Sequence, residues 1–281
     1  MEPSRLPSAP RPPQPTVTQV SIRAGNLALC YDRWKQISSD PAVLDSVRGV
    51  SIPFSVFPVQ TAPPPPFHPR GRVTVSVVRG EIQKLISWRA ARICSPSLFQ
   101  VVNPFFLVDE PDLSYRFILS LSWLNLFIAA PHFKLEDGRT AARFLSRGDW
   151  LAKVDLQNPH YSVPVHPESS RFLMFSFEGT LFEFTCLPFG LNLAPFLFTK
   201  LMRALLLFLR EQGFRSVNYL DDFLLLGSSA SECLSNIHQT TSLLTQLGFT
   251  VNLKKNSVGS YHLRDFPGTP VQLPLVVYRA P

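Results

Sequence analysis

The segment NYLDDFLLLG, residues 218 to 227, places two adjacent aspartates between apolar runs that have the composition of β-strands. Like charges at the centre of a hydrophobic hairpin repel each other unless something positive lies between them. A bound cation would supply that charge. The simpler interpretation is that Asp221 and Asp222 form the solvated tip of a β-hairpin, and the short motif taken alone favours it.

A third carboxylate, Asp155, stands near the end of another strand-like segment, Trp150 to Leu156. If the two strands are neighbours in an antiparallel sheet, the three carboxylates meet at one edge, where their oxygens suit Mg²⁺. Two metal ions about 3.5–4 Å apart can activate a 3′-hydroxyl and neutralise a departing pyrophosphate. The three aspartates therefore indicate nucleotidyl transfer with two Mg²⁺ or Mn²⁺ ions.

Composition bounds the class of protein. The chain has 281 residues, 45% of them hydrophobic, which is enough to bury a sizeable core. Its net charge of +7 suits an anionic partner such as nucleic acid, although an ordinary surface also fits. The four cysteines show no zinc-site spacing, and the proline-rich N-terminus is unlike a signal peptide. Residues 117 to 130 are too few to span a bilayer. These features predict an intracellular protein that is neither secreted nor bound to a membrane.

Two proline-rich stretches divide the chain. We expect a disordered leader over residues 1–18, a small helical lead-in over 19–59, a linker over 60–72, a main domain over 73–255 and a diverged tail over 256–281. In the lead-in, Asp40 and Pro41 predict the N-cap and first position of a helix that ends near Gly49.

The main domain mixes strands and helices. A helix is predicted over residues 81–90, strands over 105–108 and 115–121, a helix over 135–145, a strand over 150–156, and a hairpin within 170–187 that turns at Glu178 and Gly179. A helix from Pro195 to Gly213 precedes the aspartate hairpin. A second helix follows it from a capping box at Ser229 and Glu232 to Gly248, with Leu234, Ile237, Leu244 and Leu247 on one face, and then a strand over 249–253. This order predicts an α+β fold, with an antiparallel sheet covered by helices on one face.

From about Phe105 to Lys255 the chain resembles retroelement reverse transcriptases, and it is most similar to the DIRS-like group of tyrosine-recombinase retrotransposons. The resemblance lies in seven blocks in the expected order: RFILSLSWLN, HFKLED, GDWLAKVDL, VPVHPESSRFLMF, LPFGLNLAPFLFTK, YLDD and LGFTVNLKK. Because a chance hairpin would not bring the other six blocks with it, the resemblance favours a metal site at Asp221 and Asp222.

The resemblance implies a polymerase palm with partial fingers and a truncated or unrecognisable thumb. It implies that metal binds Asp155 and Asp221 with Asp222 beside them, and that the partners are an RNA or DNA primer-template and deoxynucleoside triphosphates. The implied nucleotide-binding residues are Arg116 on the triphosphate, Asn158, Pro159 and His160 in the turn after the first aspartate, Phe189 and Gly190 in the floor, and Lys255 near the pyrophosphate. For Lys255 a solvated strand end is an equal alternative, and Leu191 and Phe198 are expected to be core.

Several working positions depart from the family pattern. The acidic stretch VDEPD precedes Arg116 where a basic pair is usual, Ser120 and Ser122 stand where Asp and Arg are common, and Pro159 has no N–H to offer a phosphate. Two functions therefore stay open: an RNA-directed DNA polymerase, or an inactive palm that binds nucleic acid or only folds. Composition does not separate them, because an inactive palm keeps its core and charge. The sequence does not indicate the oligomeric state.

Overall fold

The computed structural model describes residues 23–65, 67, 72–110, 113–135 and 143–252, together with the backbone of 278 and 279. Lys255, the expected leader and most of the expected tail lie outside these ranges. So does most of the helix predicted over residues 135–145. None of the helices within the described ranges is long and apolar enough to cross a bilayer.

The lead-in consists of three short helices packed against the back of the main sheet's helices. They are α1 (Asn26–Leu29), α2 (Tyr31–Ile37) and α3 (Pro41–Arg48). The predicted cap is confirmed, since the Asp40 carboxylate accepts a hydrogen bond from Ala42 N at 2.9 Å and Gly49 ends the helix. The buried Trp34 donates its indole N–H to Leu247 O at 3.0 Å. The lead-in therefore shares one hydrophobic core with the main domain.

The part of the domain outside the main sheet contains a helix, two small sheets and a 3-10 turn. Its elements are α4 (Val75–Ser87), β1 (Ala91–Ile93), β2 (Phe105–Asp109), β3 (Tyr115–Leu119), the 3-10 turn Leu124–Phe127, β5 (Met174–Phe177) and β6 (Thr180–Phe184). β2 and β3 form a hairpin, and β1, β6 and β5 form a three-stranded sheet in that order. The predicted turn between β5 and β6 is confirmed, with positive φ angles of 48° at Glu178 and 77° at Gly179. A cluster of phenylalanines joins the two sheets, with the rings of Phe117 in β3 and Phe175 in β5 4.9 Å apart.

The main sheet has the strand order β7-β8-β4-β9 and is antiparallel throughout. Its strands are β4 (Trp150–Asp155), β7 (Arg215–Tyr219), β8 (Asp222–Gly227) and β9 (Tyr278–Arg279), and its helices are the short α5 (Pro167–Ser170) and the long α6 (Ala194–Glu211) and α7 (Ala230–Gln246). The predicted N-cap is confirmed, since Ser229 Oγ accepts from Glu232 N at 3.2 Å, but Glu232 Oε2 accepts from Ser228 N at 2.8 Å rather than from the N-cap N–H of a complete capping box. The helices α6 and α7 lie along this sheet.

Strand alternation gives the main sheet two different faces. Ala152, Val154, Phe223 and Leu225 point to the helices and belong to the main core. Gly227 is required where α7 passes β8, because a Cβ there would lie 2.3 Å from Cys233 N. The opposite face carries Lys153, Asp155 and Asp222, and beside them a small apolar cluster of Leu151, Val217, Leu224 and Leu226, against which Phe144 and Leu145 pack. The predicted α+β sheet with helices on one face is confirmed.

Two local predictions are wrong. Leu234 is 53% exposed rather than on the buried face of α7, because its neighbour Cys233 faces the sheet and one helical step turns Leu234 outward. The other three predicted positions, Ile237, Leu244 and Leu247, are buried. The strand predicted over 249–253 is reduced, up to Asn252, to one antiparallel bridge between Val251 and Leu156.

Candidate active site

Strand pairing places the first and last of the three aspartates opposite each other. Asp155 ends β4 and Asp222 begins β8, and the two are in register. Directly opposed residues in an antiparallel pair project from the same face. Asp221 is exposed in the turn between β7 and β8, and its main-chain oxygen accepts a hydrogen bond from Leu156 N at 3.1 Å. The three residues therefore come to one edge of the sheet, as the sequence predicts.

The turn that carries Asp221 has an unusual backbone. Leu220 has a φ of 54°, a left-handed conformation that non-glycine residues rarely adopt. The side-chain amide of the buried Asn218 supports it by donating to Leu220 O at 2.7 Å and to Asp222 O at 3.2 Å. Strained turns of this kind are concentrated at functional sites, where the surrounding structure holds them.

Two of the three aspartates, Asp155 and Asp222, are already paired with polar groups of the chain. Lys153 Nζ lies 2.7 Å from Asp222 Oδ1, and Asn252 Nδ2 donates to Asp155 Oδ2 at 2.9 Å. Sequence reasoning did not identify either partner. For Lys153 a signal was available, because it lies two positions before Asp155 and so on the same face of β4. The positive charge that the two adjacent aspartates require comes, in part, from this lysine.

The donor set fits a divalent cation in chemical type, because Mg²⁺ and Mn²⁺ prefer carboxylate oxygens. The side chains are not gathered into a preformed cluster. Across the residues that the structure describes, no group of three or more histidine, cysteine, aspartate or glutamate side chains could hold a metal ion. A cation that used Asp222 Oδ1 would compete with Lys153 for that oxygen.

The turn after Asp155 lies beside this edge and includes three of the predicted nucleotide-binding residues. Asn158 has a φ of 44° and precedes a 3-10 turn, Pro159–Ser162, in which Pro159 is buried. Both ring nitrogens of His160 are buried and have no hydrogen-bond partner. Its ring packs edge-on against Phe189 and Phe198, with centroid distances of 5.4 and 5.2 Å. Burial lowers the pKa of His160 to about 4, a shift that the negative charge of Asp221 opposes.

Arg116 reaches the same group of aromatic rings from β3. Its guanidinium lies 5.0 Å from the centroid of Phe189, at a cation–π distance. Its Nε also forms an ion pair of 2.8 Å with Glu110 Oε1. The structure thus places Arg116, Phe189 and His160 in one contiguous group, and Asp221 and Arg116 both influence His160 electrostatically.

The floor residues Phe189 and Gly190 are fixed by close backbone contacts. A Cβ on Gly190 would lie 2.1 Å from Leu119 O, and the φ of Gly190 is 111°, so glycine is required there. Asn125, which sequence reasoning did not single out, holds this turn by donating to Gly190 O at 2.9 Å and accepting from Asn192 N at 3.1 Å. Leu191 and Phe198 are buried core residues, as predicted.

Comparison with known proteins agrees with this geometry. The sheet, the helices on one of its faces and the aspartates at its edge define an α+β polymerase palm. Residues 112–271 match the family model described as reverse transcriptase (RNA-dependent DNA polymerase), which is more than half of the chain. The chain belongs to the reverse transcriptase family.

Individual relatives match more than half of the chain. The Pro-Pol polyprotein of simian foamy virus type 1 is 24% identical over 193 residues, which is 69% of this chain and 16% of that protein. Protein P of a duck hepatitis B virus is 32% identical over 165 residues, 56% of this chain and 21% of that protein. The prototype foamy virus protease-reverse transcriptase has the same fold, with a TM-score of 0.62 and 23% identity over 74% of this chain and 27% of that one. The chain spans less than a quarter of the length of these two viral proteins.

Proposed function

We propose that this chain is the fingers-palm region of an RNA-directed DNA polymerase, which adds deoxynucleotides to a primer 3′-hydroxyl on an RNA or DNA template. Within the family we assign it to the DIRS-like retrotransposons, on the seven blocks named above. The observation that carries the proposal is the register pair of Asp155 and Asp222, with Asp221 in the adjoining turn. A foamy virus protease-reverse transcriptase has been seen in complex with double-stranded DNA, and its similarity to this chain supports nucleic acid as the partner.

In this proposal Asp155 and Asp221 hold the metal ions, and Asp222 assists beside them. When bound, two Mg²⁺ or Mn²⁺ ions supply charge stabilisation for the attacking and leaving oxygens. The chain itself fixes the positions of the three carboxylates. Strand register sets the separation of Asp155 and Asp222, and Asn218 holds the turn that carries Asp221. Lys153 neutralises Asp222 until the site is loaded, which keeps adjacent carboxylates stable in the empty palm.

On the nucleotide side, Arg116 binds triphosphate oxygens through its forked guanidinium, with Phe189 supporting it. Gly190 lets the main chain approach the nucleotide and template closely, because it lacks a side chain. Asn158, Pro159 and His160 form the wall of the site next to the sugar. Because Pro159 has no backbone N–H, this wall donates one main-chain hydrogen bond fewer to the phosphates than it would with another residue at position 159. Lys255, outside the described residues, is assigned to the pyrophosphate.

Primer extension on an RNA template, with Mg²⁺ or Mn²⁺, tests the proposal. We expect the full chain to extend the primer only weakly, because Pro159 has no N–H to offer a phosphate. Asp221→Asn should reduce that extension at least about a hundredfold further, because a lost metal ligand removes several kcal/mol of transition-state stabilisation. The matched control is Asp45→Asn, which makes the same change in the lead-in helix α3 and should leave extension unchanged.

The outcome also decides between the two functions that the sequence leaves open. If the unmodified chain binds primer-template but extends it with neither metal, the protein is an inactive palm that binds nucleic acid. If it neither binds nor extends, the domain only folds.

A further inference from the structure

The fingers hairpin brings an acidic side chain onto the arginine that we assign to the triphosphate. β2 and β3 pair up to Asp109 opposite Tyr115, and Glu110 N donates to Ser114 O at 2.9 Å just beyond the last pair. This hairpin geometry places Glu110 Oε1 2.8 Å from Arg116 Nε. The contact is therefore set by the register of the hairpin and is not a chance approach of two long side chains.

Arg116 is held from a second direction by an aromatic ring. Its guanidinium lies over the ring of Phe189, 5.0 Å from the ring centroid, and carboxylates and phosphates bind such a group along its N–H edge. Glu110 occupies part of that edge at Nε. A carboxylate and a phosphate both bind guanidinium through two oxygens, and they compete for the same N–H donors.

The ion pair between Arg116 and Glu110 is accessible to water and to a competing anion. The Arg116 side chain is 44% exposed and the Glu110 side chain is 23% exposed, so water reaches both partners. Ion pairs with this exposure are weak, and a polyanion with several oxygens carries more charge than one carboxylate. A triphosphate can therefore displace Glu110, whereas a monophosphate gains little by doing so.

We propose that Glu110 competes with the triphosphate for Arg116: Glu110 pairs with the Arg116 guanidinium in the empty protein and is released when a nucleoside triphosphate binds. This inference rests on the proposed function, because it takes Arg116 as the triphosphate ligand. It makes Glu110 a residue that sets nucleotide affinity without touching the reacting atoms. It also predicts a consequence of the acidic stretch before Arg116: with Glu110 the protein binds polyphosphates more weakly than it would with a neutral residue at this position.

The test is equilibrium binding of inorganic triphosphate to the full chain, which needs neither primer nor catalysis. We expect Glu110→Gln to tighten binding about two- to tenfold, since removing the charge frees the guanidinium edge and lessens repulsion. Arg116→Gln should weaken binding, and Glu110→Gln should give no gain in the Arg116→Gln background. Glu110→Asp keeps the charge but shortens the reach, so a gain in that variant would reflect the broken pair alone.

The matched control is Glu178→Gln, which breaks an ion pair of 2.7 Å with Arg79 at the tip of another hairpin. This variant should bind triphosphate as the unmodified chain does. Unchanged or weaker binding by Glu110→Gln would overturn the proposal, and so would a gain that persists without Arg116. Extension by the unmodified chain together with no effect of Glu110→Gln would overturn this inference alone. Tighter triphosphate binding by Glu110→Gln in a chain that does not extend primers would overturn the polymerase activity alone.

Discussion

His160 lies in an environment very different from that of a solvated imidazole. Its two ring nitrogens are buried without hydrogen-bond partners, and its ring is enclosed by Phe189 and Phe198. An imidazole in such a setting is far more stable neutral than charged, which is why burial lowers its pKa to about 4. At neutral pH the side chain acts as an apolar ring beside the proposed sugar position and carries no charge.

This environment predicts a pH dependence of stability. Between the unfolded pKa near 6.5 and the folded pKa of about 4, only the unfolded chain takes up the proton, so stability falls as pH falls through this window. The shift corresponds to roughly 3 kcal/mol at most. Urea unfolding at pH 7.5 and pH 5 should show a clearly smaller loss for His160→Phe than for the unmodified chain. His238→Gln, a change at an exposed histidine of α7, should keep the full loss. An equal loss in His160→Phe would contradict the assignment.

At the scale of elements, the aspartate hairpin is anchored at the end opposite its turn. Arg215 at the start of β7 makes two parallel hydrogen bonds to Asp149, of 2.7 and 2.8 Å, just before β4. Burial alone would raise the pKa of Asp149, but hydrogen bonds from Arg215 and Ser146 N lower it overall. The pair ties β7 to β4 across the intervening β8, so it fixes the three strands that carry the aspartates.

Removing this anchor should destabilise the fold. Asp149 is 3% exposed, and Asp149→Ala would leave Arg215 without its carboxylate in a partly buried position. We expect the free energy of unfolding to fall by about 2–4 kcal/mol. Glu178→Ala, which breaks the exposed pair with Arg79, should lower it by less than about 1 kcal/mol. Equal effects of the two substitutions in denaturant titrations would show that the Asp149 pair is not an anchor.

The elements that could be predicted from the sequence are those with strong local signals. Asp40 with Pro41, and Ser229 with Glu232, mark helix starts because their side chains cap backbone groups only a few residues away. The aspartate hairpin follows from two apolar runs separated by a short polar turn. Leu234 was misplaced because the pattern of α7 also contains buried polar residues, among them Asn236, which hydrogen-bonds Ser216 in the sheet.

The sequence indicates which residues form the candidate site, but not which strands and side chains pair to bring them together. Asp155 and Asp222 could be expected on one edge only if β4 and β8 were neighbours, which is a long-range fact that no local signal specifies. The same holds for Asn125 on the turn of Gly190, which is 65 positions away. Glu110 and Arg116 are only six positions apart, but their contact depends on the register of the hairpin that joins them. Lys153 is the exception, because alternation along a single strand places it on the face of Asp155.

At the scale of the whole molecule, charge is unevenly distributed around the sheet. The end of the sheet with the aspartates is acidic. Phe144 and Leu145 pack on the same face of the sheet, and the exposed Arg143 and Arg147 flank them in the sequence. The lead-in helices pack near the end of α7, where Trp34 contacts Leu247. Phe144 O accepts from Arg215 at the far end of the hairpin, so a nucleic acid that runs along this face from the aspartates to that end would meet Arg143 and Arg147.

Binding of primer-template should therefore depend steeply on salt, because contacts between basic side chains and phosphates release counterions. Each lost phosphate contact reduces the slope of log K against log salt by roughly 0.9, so Arg143→Gln with Arg147→Gln should lower it by up to about 2. Fluorescence anisotropy over a salt series measures this slope. The control is Arg48→Gln in α3, which removes a guanidinium that lies over the ring of Tyr31. This substitution should leave the slope unchanged. A slope near zero for the unmodified chain, or an equal reduction by Arg48→Gln, would show that the sheet face flanked by Arg143 and Arg147 is not where the nucleic acid lies.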